Sequence, residues 1–178
     1  MAPTTYLSLM LILSLFTISH AISPTSSSNL YKDICKKSFE LKDLEQRCLK
    51  LLEPYPQITS ANDYLTFTKL FLKTVAIEKA IKAQQQMIEI MKKNPSSQGI
   101  KDCFLHYKDV LSELQIAYDE DPGTISLDVA YANDALVACK RSLSNEKIVN
   151  ISSISVLNDE MHFVVDIAFT SSSNIPTI

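Results

Sequence analysis

Residues 103–139, CFLHYKDVLSELQIAYDEDPGTISLDVAYANDALVAC, decide the fold. Both halves read as helices, and Asp121-Pro122-Gly123 breaks them. Cys103 lies 18 residues before Asp121 and Cys139 lies 18 residues after it. Folded back at that break, the two sulfurs arrive at the same height, roughly 27 Å from the turn at about 1.5 Å per residue. A disulfide needs Cα atoms within about 7 Å, and a symmetric pair across an antiparallel helical hairpin meets that need. Four cysteines allow three pairings. The hairpin register selects Cys103–Cys139 and leaves Cys35 to Cys48.

A staple of this kind requires an oxidising compartment, and the N-terminus reads as the address for one. Tyr6 to Ile18 (YLSLMLILSLFTI) is an apolar run too short to span a bilayer comfortably, and Ser19-His20-Ala21 has the small-x-small form of a cleavage site. Residues 1–21 are therefore assigned as a signal peptide and 22–29 as a flexible lead-in. One domain follows over 30–174, with a helical hairpin at 30–56 and a bundle at 60–174. Secretion to the cell exterior is expected, with no membrane contact after cleavage. The net charge of −3 gives no basic footprint for nucleic acid. Two glycines in 178 residues suit long helices rather than many tight β-turns.

Working outward, Ser60 or Asn62 caps a long helix to about Lys93. Phe67, Leu70, Thr74, Ile77, Ile81, Gln84, Ile88 and Met91 form a heptad seam along it. Asn94 to Gly99 is a turn. The second helix runs from Ile100 to Tyr118. The third runs from Ser126 to Leu143, with Leu127, Ala130, Tyr131, Leu136, Val137 and Ala138 as its apolar residues. Ile151 to Val156 is read as an extended connection, and Asn158 as the cap of a last helix carrying Met161, Val164, Val165, Ala168 and Phe169. The fold class is thus all-α: an up-down-up-down four-helix bundle with an N-terminal helical hairpin and two disulfides.

Chemistry-bearing motifs are sparse. His106 and His162 sit in no metal-ligand spacing, the cysteines lack Cys-x-x-Cys spacing, and there is no nucleophile elbow or Gly-rich phosphate loop. No catalytic, cofactor or metal residue is assigned, and His106 reads as a surface or boundary residue. Asp119-Glu120-Asp121 makes an acidic hairpin tip. It reads first as a solvated turn, with a recognition tip as the functional alternative. Asn150-Ile151-Ser152 is an acceptor sequon for N-glycosylation.

The pattern resembles the plant invertase and pectin methylesterase inhibitors over about Leu30 to Asn174, and within them the short pollen-allergen-like subgroup. The carriers are Cys35 with Cys48-Leu49, Asp102-Cys103 followed by Tyr107 and Leu114, and Ala135 to Cys139. The resemblance implies first-to-second and third-to-fourth disulfides. It implies a non-catalytic protein that blocks a cell-wall or vacuolar carbohydrate enzyme in a one-to-one complex, acting in the apoplast or vacuole. Related invertase inhibitors carry an Asp-Pro-Lys-Phe motif at this hairpin. Here Asp121-Pro122 match it and Gly123-Thr124 do not, so Asp121 and Pro122 are the candidate target contacts. The expected function is inhibition of a pectin methylesterase, ahead of an invertase. A non-inhibitory secreted bundle, ligand-binding or structural, is the rival class.

Overall fold

The computed structural model describes residues 30–144 and 151–176. The segments assigned from sequence as signal peptide and lead-in lie outside them, as does Asn150. Every regular element among the described residues is helical. Helices α1 (Leu30–Ser38) and α2 (Lys42–Leu52) form the N-terminal hairpin, followed by a single turn, α3 (Pro56–Thr59), with proline at its start. Helix α4 (Tyr64–Phe71), a π segment (Leu72–Ala76) and α5 (Ile77–Lys93) run on as one rod, with helical backbone angles at both junctions. Then come α6 (Gln98–Asp119), α7 (Ile125–Leu143) and α8 (Ser152–Ser172). The rod packs on α6, α6 on α7, α7 on α8, and α8 back on the rod, which closes a four-helix bundle.

Disulfides join Cys35 to Cys48 and Cys103 to Cys139, with Cα atoms 5.6 and 4.1 Å apart. The second bond fixes the register of α6 on α7. Buried residues then fall at Ile100, Cys103, Tyr107, Val110, Leu114 and Ala117 on α6. On α7 they fall at Ile125, Val129, Ala132, Leu136, Cys139 and Leu143. Both sets alternate three and four residues apart, the spacing of one helical stripe. The bundle centre is filled, since Phe67, Phe71, Met87, Tyr107, Leu114 and Leu136 are all fully buried. Asn158 provides a polar cross-link within it. Its side-chain amide donates to the Leu136 carbonyl at 3.3 Å, and Tyr107 Oη donates to Asn158 Oδ1 at 3.4 Å. Burial holds the Tyr107 phenol well above its ordinary pKa, with Asp159 adding to the effect.

Several local expectations are corrected. The rod is capped by Asp63, whose carboxylate accepts from the Thr66 amide at 2.8 Å, not by Ser60 or Asn62. Its buried apolar residues run Phe67, Phe71, Leu72, Val75, Ala76, Ala80, Ala83, Met87. The π segment at Leu72–Ala76 widens the turn by one residue and rotates the face that follows. That rotation leaves Ile81 exposed and Thr74 and Gln84 only partly buried. Ile151 to Val156 is not an extended connection: α8 begins at Ser152, and Asn158 lies buried inside it rather than capping it. A helix satisfies the backbone of 152–157 locally, and turns Ile154 inward.

The N-terminal hairpin is tied down at two points. Arg47 pairs with Glu160 of α8 and lies over the Phe163 ring at 4.1 Å, while Phe39 stacks on the Phe163 ring at 4.7 Å between centroids. Near the start of α4, Lys37 donates to Tyr64 Oη at 2.9 Å, and Tyr64 Oη donates to Asp33 at 3.0 Å.

Candidate functional site

The outward face of the α6–α7 hairpin and its tip form the candidate site. Residues 109–139 contain seven Asp or Glu and no Lys or Arg, so this half of the hairpin is uniformly acidic. Apolar side chains stand out among the acids. Leu105 and Ile116 of α6 are 52% and 41% exposed, and Leu127 and Tyr131 of α7 are 51% and 49% exposed. Leu105 and Ile116 are three turns apart and share a stripe. Leu127 and Tyr131 are one turn apart and share another. With Cys103 level with Cys139, Ile116 comes level with Leu127 at the tip end, and Leu105 with the exposed Val137.

Leu127, Tyr131 and Val137 are among the apolar residues that the sequence offers on α7, and apolar character alone does not say which way they face. The structure places them outside. Cys139 carried the missing signal. A seam drawn through it at three- and four-residue steps takes in Ile125, Val129, Ala132, Leu136 and Leu143, and leaves Leu127 and Tyr131 on the other side.

At the tip, Asp119 through Thr124 are all exposed, including the candidate contacts Asp121 and Pro122. Hydrogen bonds hold the turn on both sides. Thr124 Oγ1 donates to Glu120 Oε2 at 3.1 Å or to the Asp121 carbonyl at 3.0 Å, and the Thr124 amide donates to that carbonyl at 3.1 Å. From the rod, Lys69 Nζ reaches the carbonyls of Ala117, Tyr118 and Glu120, the last at 2.6 Å. These acceptors lie at the C-terminal end of α6, where carbonyls lack intrahelical partners and the helix dipole favours a cation. Burial lowers the Lys69 pKa, and Asp119, Asp121 and Glu120 oppose the shift. Lys69 was not singled out in the sequence, because its partners are backbone atoms 48 or more residues away.

Gly123 sits in this turn without need of its special freedom. A Cβ there meets nothing within 4 Å, and its backbone is outside the left-handed region. Gly123→Ala should therefore stabilise the protein by about 0.4–1 kcal/mol by restricting the unfolded chain. Denaturant melts compared at equal m-values check this.

The acids of the face strain one another. Burial raises the Glu113 pKa, and Asp128 and Asp109 push it further the same way. Burial also raises Asp128, with Glu120 adding to it, and Asp128 Oδ2 is buried without a hydrogen-bond partner. A carboxyl whose folded pKa lies above its unfolded one favours folding when protonated, and that contribution is lost as pH rises through the folded pKa. Glu113→Gln should thus melt higher than the parent at pH 7, and the advantage should vanish below about pH 4, where unfolded carboxyls are also protonated. An unchanged difference in melting temperature across that range would contradict the raised pKa.

Two histidines lie among the described residues. His106 is partly exposed, 3.7 Å from Asp109. His162 is half-buried with Nδ1 2.9 Å from Asn133 Oδ1, and burial lowers its pKa against the pull of Asp166 and Asp159. Among the described residues no group of His, Cys, Asp or Glu is placed to hold a metal, and no helix is long and apolar enough to cross a membrane.

No protein-family model matches the chain, and no curated protein matches it in sequence. Solved structures do match in fold. A mutant form of a pectin methylesterase inhibitor from Arabidopsis superposes with a TM-score of 0.67 at 19% identity, covering 84% of this chain and 99% of that one. Another pectin methylesterase inhibitor from Arabidopsis thaliana gives a TM-score of 0.58 at 18% identity, covering 86% of this chain and 100% of that one. The chain has the all-helical fold of these inhibitors across nearly their whole length.

Proposed function

We propose that this chain is a secreted, non-catalytic member of the plant invertase and pectin methylesterase inhibitor family. It blocks a pectin methylesterase by a one-to-one, non-covalent complex over the enzyme's active-site cleft. The observation that carries the reading is the fold shared with pectin methylesterase inhibitors over 84% of the chain. The exposed apolar residues of the α6–α7 face support it, since half-exposed Leu, Ile and Tyr side chains on rigid helices are suited to bury against a partner. The filled bundle centre favours this reading over a ligand carrier, which needs an apolar cavity. The acidic half of the hairpin suits a target that is basic around its cleft, so association should slow as salt rises.

Inhibition of a cell-wall or vacuolar invertase is the second reading, carried by Asp121 and Pro122 at the exposed tip. Residual activity of a pectin methylesterase and of an invertase, each mixed with the purified protein, separates the two. Loss of methylesterase activity alone is expected. Loss of invertase activity alone would transfer the assignment, and loss of neither across several isoforms would remove it.

A further inference from the structure

Away from the α6–α7 face, three lysines gather beside two surface grooves. Lys50 of α2 and Lys79 and Lys82 of α5 line a groove of about 310 Å³, together with Tyr55 and Thr74. Lys79 and Lys82 also line a second groove of about 270 Å³ between α5 and α8, where Gln86 and Ser153 join them. The two lysines, three residues apart on one helix, therefore stand on the ridge between the grooves. No ion pair engages Lys50, Lys79 or Lys82 among the described residues. The nearby acids are Glu78 and Glu160, and Glu160 is already held by Arg47. The ridge is thus a local excess of unengaged positive charge on a protein of net charge −3.

We infer that this double groove binds a carboxylated polysaccharide, with its carboxylates on Lys79, Lys82 and Lys50. The chemistry of the lining selects that ligand class. Lysine offers compact charged donors for carboxylates. Gln86, Thr74 and Ser153 offer the neutral hydrogen-bonding groups that a hydroxyl-rich chain requires. Tyr55 supplies an aromatic wall with an apolar body and a polar end. Lys79 and Lys82 have Cβ atoms about 5–6 Å apart, on the scale of one sugar unit. Two grooves meeting at a ridge accommodate an extended chain rather than a compact metabolite. Three cations are too few for a nucleic acid, whose binding proteins typically neutralise about 6–10 phosphates. The inference does not rest on enzyme inhibition, because no residue lining the two grooves belongs to the α6–α7 hairpin.

The test is calorimetric titration of the intact protein at low salt with four probes of equal length. They are an oligogalacturonate, a neutral oligoglucan, a sulfated oligosaccharide and polyglutamate. The oligogalacturonate should bind, and its affinity should fall steadily as salt screens the lysines. Lys79→Gln with Lys82→Gln should weaken binding at least about tenfold, equivalent to about 1.4 kcal/mol, and Tyr55→Ala should weaken it several-fold. The lysine variant should keep the parent's melting temperature within a few degrees, and both variants, measured folded, should keep its effect on enzyme activity. Failure of the oligogalacturonate to bind would overturn the inference. So would equal binding by the neutral chain or by polyglutamate, tighter binding by the sulfated chain, or an undiminished affinity in the lysine variant.

Discussion

Replacing Cys103 and Cys139 together by serine is expected to lower the melting temperature by on the order of 10 °C while most of the helix content survives. The bond closes a loop of 36 residues. Restricting such a loop in the unfolded chain is worth about 3–4 kcal/mol in the chain-entropy account. The effect should be local in its structural consequences. Both sulfurs are fully buried between α6 and α7, and that pair also shares Tyr107, Val110, Leu114, Ala132 and Leu136 as buried residues. These contacts keep the hairpin closed without the bond. The Cys35–Cys48 bond closes only 13 residues, so its removal should cost about 3 kcal/mol by the same account and should loosen α1 and α2 before the bundle. Circular dichroism melts of the two double variants give the comparison. A Cys103/Cys139 variant that melted within two or three degrees of the parent, about the effect of 1 kcal/mol at this size, would show that the bond does not restrain the unfolded chain.

Leu127→Ala combined with Tyr131→Ala is expected to weaken enzyme inhibition by about 30- to 100-fold, the effect of removing one or two central apolar anchors from an interface. Stability should hardly move. Both side chains are about half exposed, both lie on the solvent side of α7, and alanine is the better helix former. A split of this kind, large in inhibition and small in melting temperature, distinguishes a contact surface from a structural one. The tip provides a graded companion. Gly123→Lys meets open space, whereas Thr124→Phe removes the hydroxyl that bonds Glu120 and Asp121. The Lys change should therefore create or strengthen invertase inhibition with the tip intact, if the tip is a usable contact, and the Phe change should loosen the tip as well. Equal inhibition by parent and the Leu127/Tyr131 variant would move recognition off the α6–α7 face.

The bundle was legible because a few residues carry strong geometric information. The positions of Cys103 and Cys139 about Asp121-Pro122-Gly123 imply an antiparallel hairpin, and the shortage of glycine implies long helices around it. The faces of those helices were less legible. The π segment at Leu72–Ala76 has no residue signature, being a backbone response to packing, and it displaces the buried stripe from Ile77, Ile81 and Ile88 to Ala76, Ala80, Ala83 and Met87. On α7, size is no guide to facing: the large residues Leu127 and Tyr131 are about half exposed while the smaller Val129 and Ala132 are buried. On α8, serine, isoleucine and valine at 152–156 read as extended by local preference, and burial of Ile154 in the bundle overrides that preference. The candidate site suffers from the same ambiguity. Asp121 and Pro122 are visible as a break in a helical pattern. The contributions of Lys69, Leu127 and Tyr131 depend on which way each helix is turned.

The central claim is that this chain inhibits a pectin methylesterase through a one-to-one complex. The most direct test is an activity titration, with the enzyme held at a concentration well above the dissociation constant and the purified protein added in steps. The account predicts a linear fall in activity that ends near zero at one equivalent. Full enzyme activity in the presence of a large molar excess of folded, disulfide-bonded protein would contradict it.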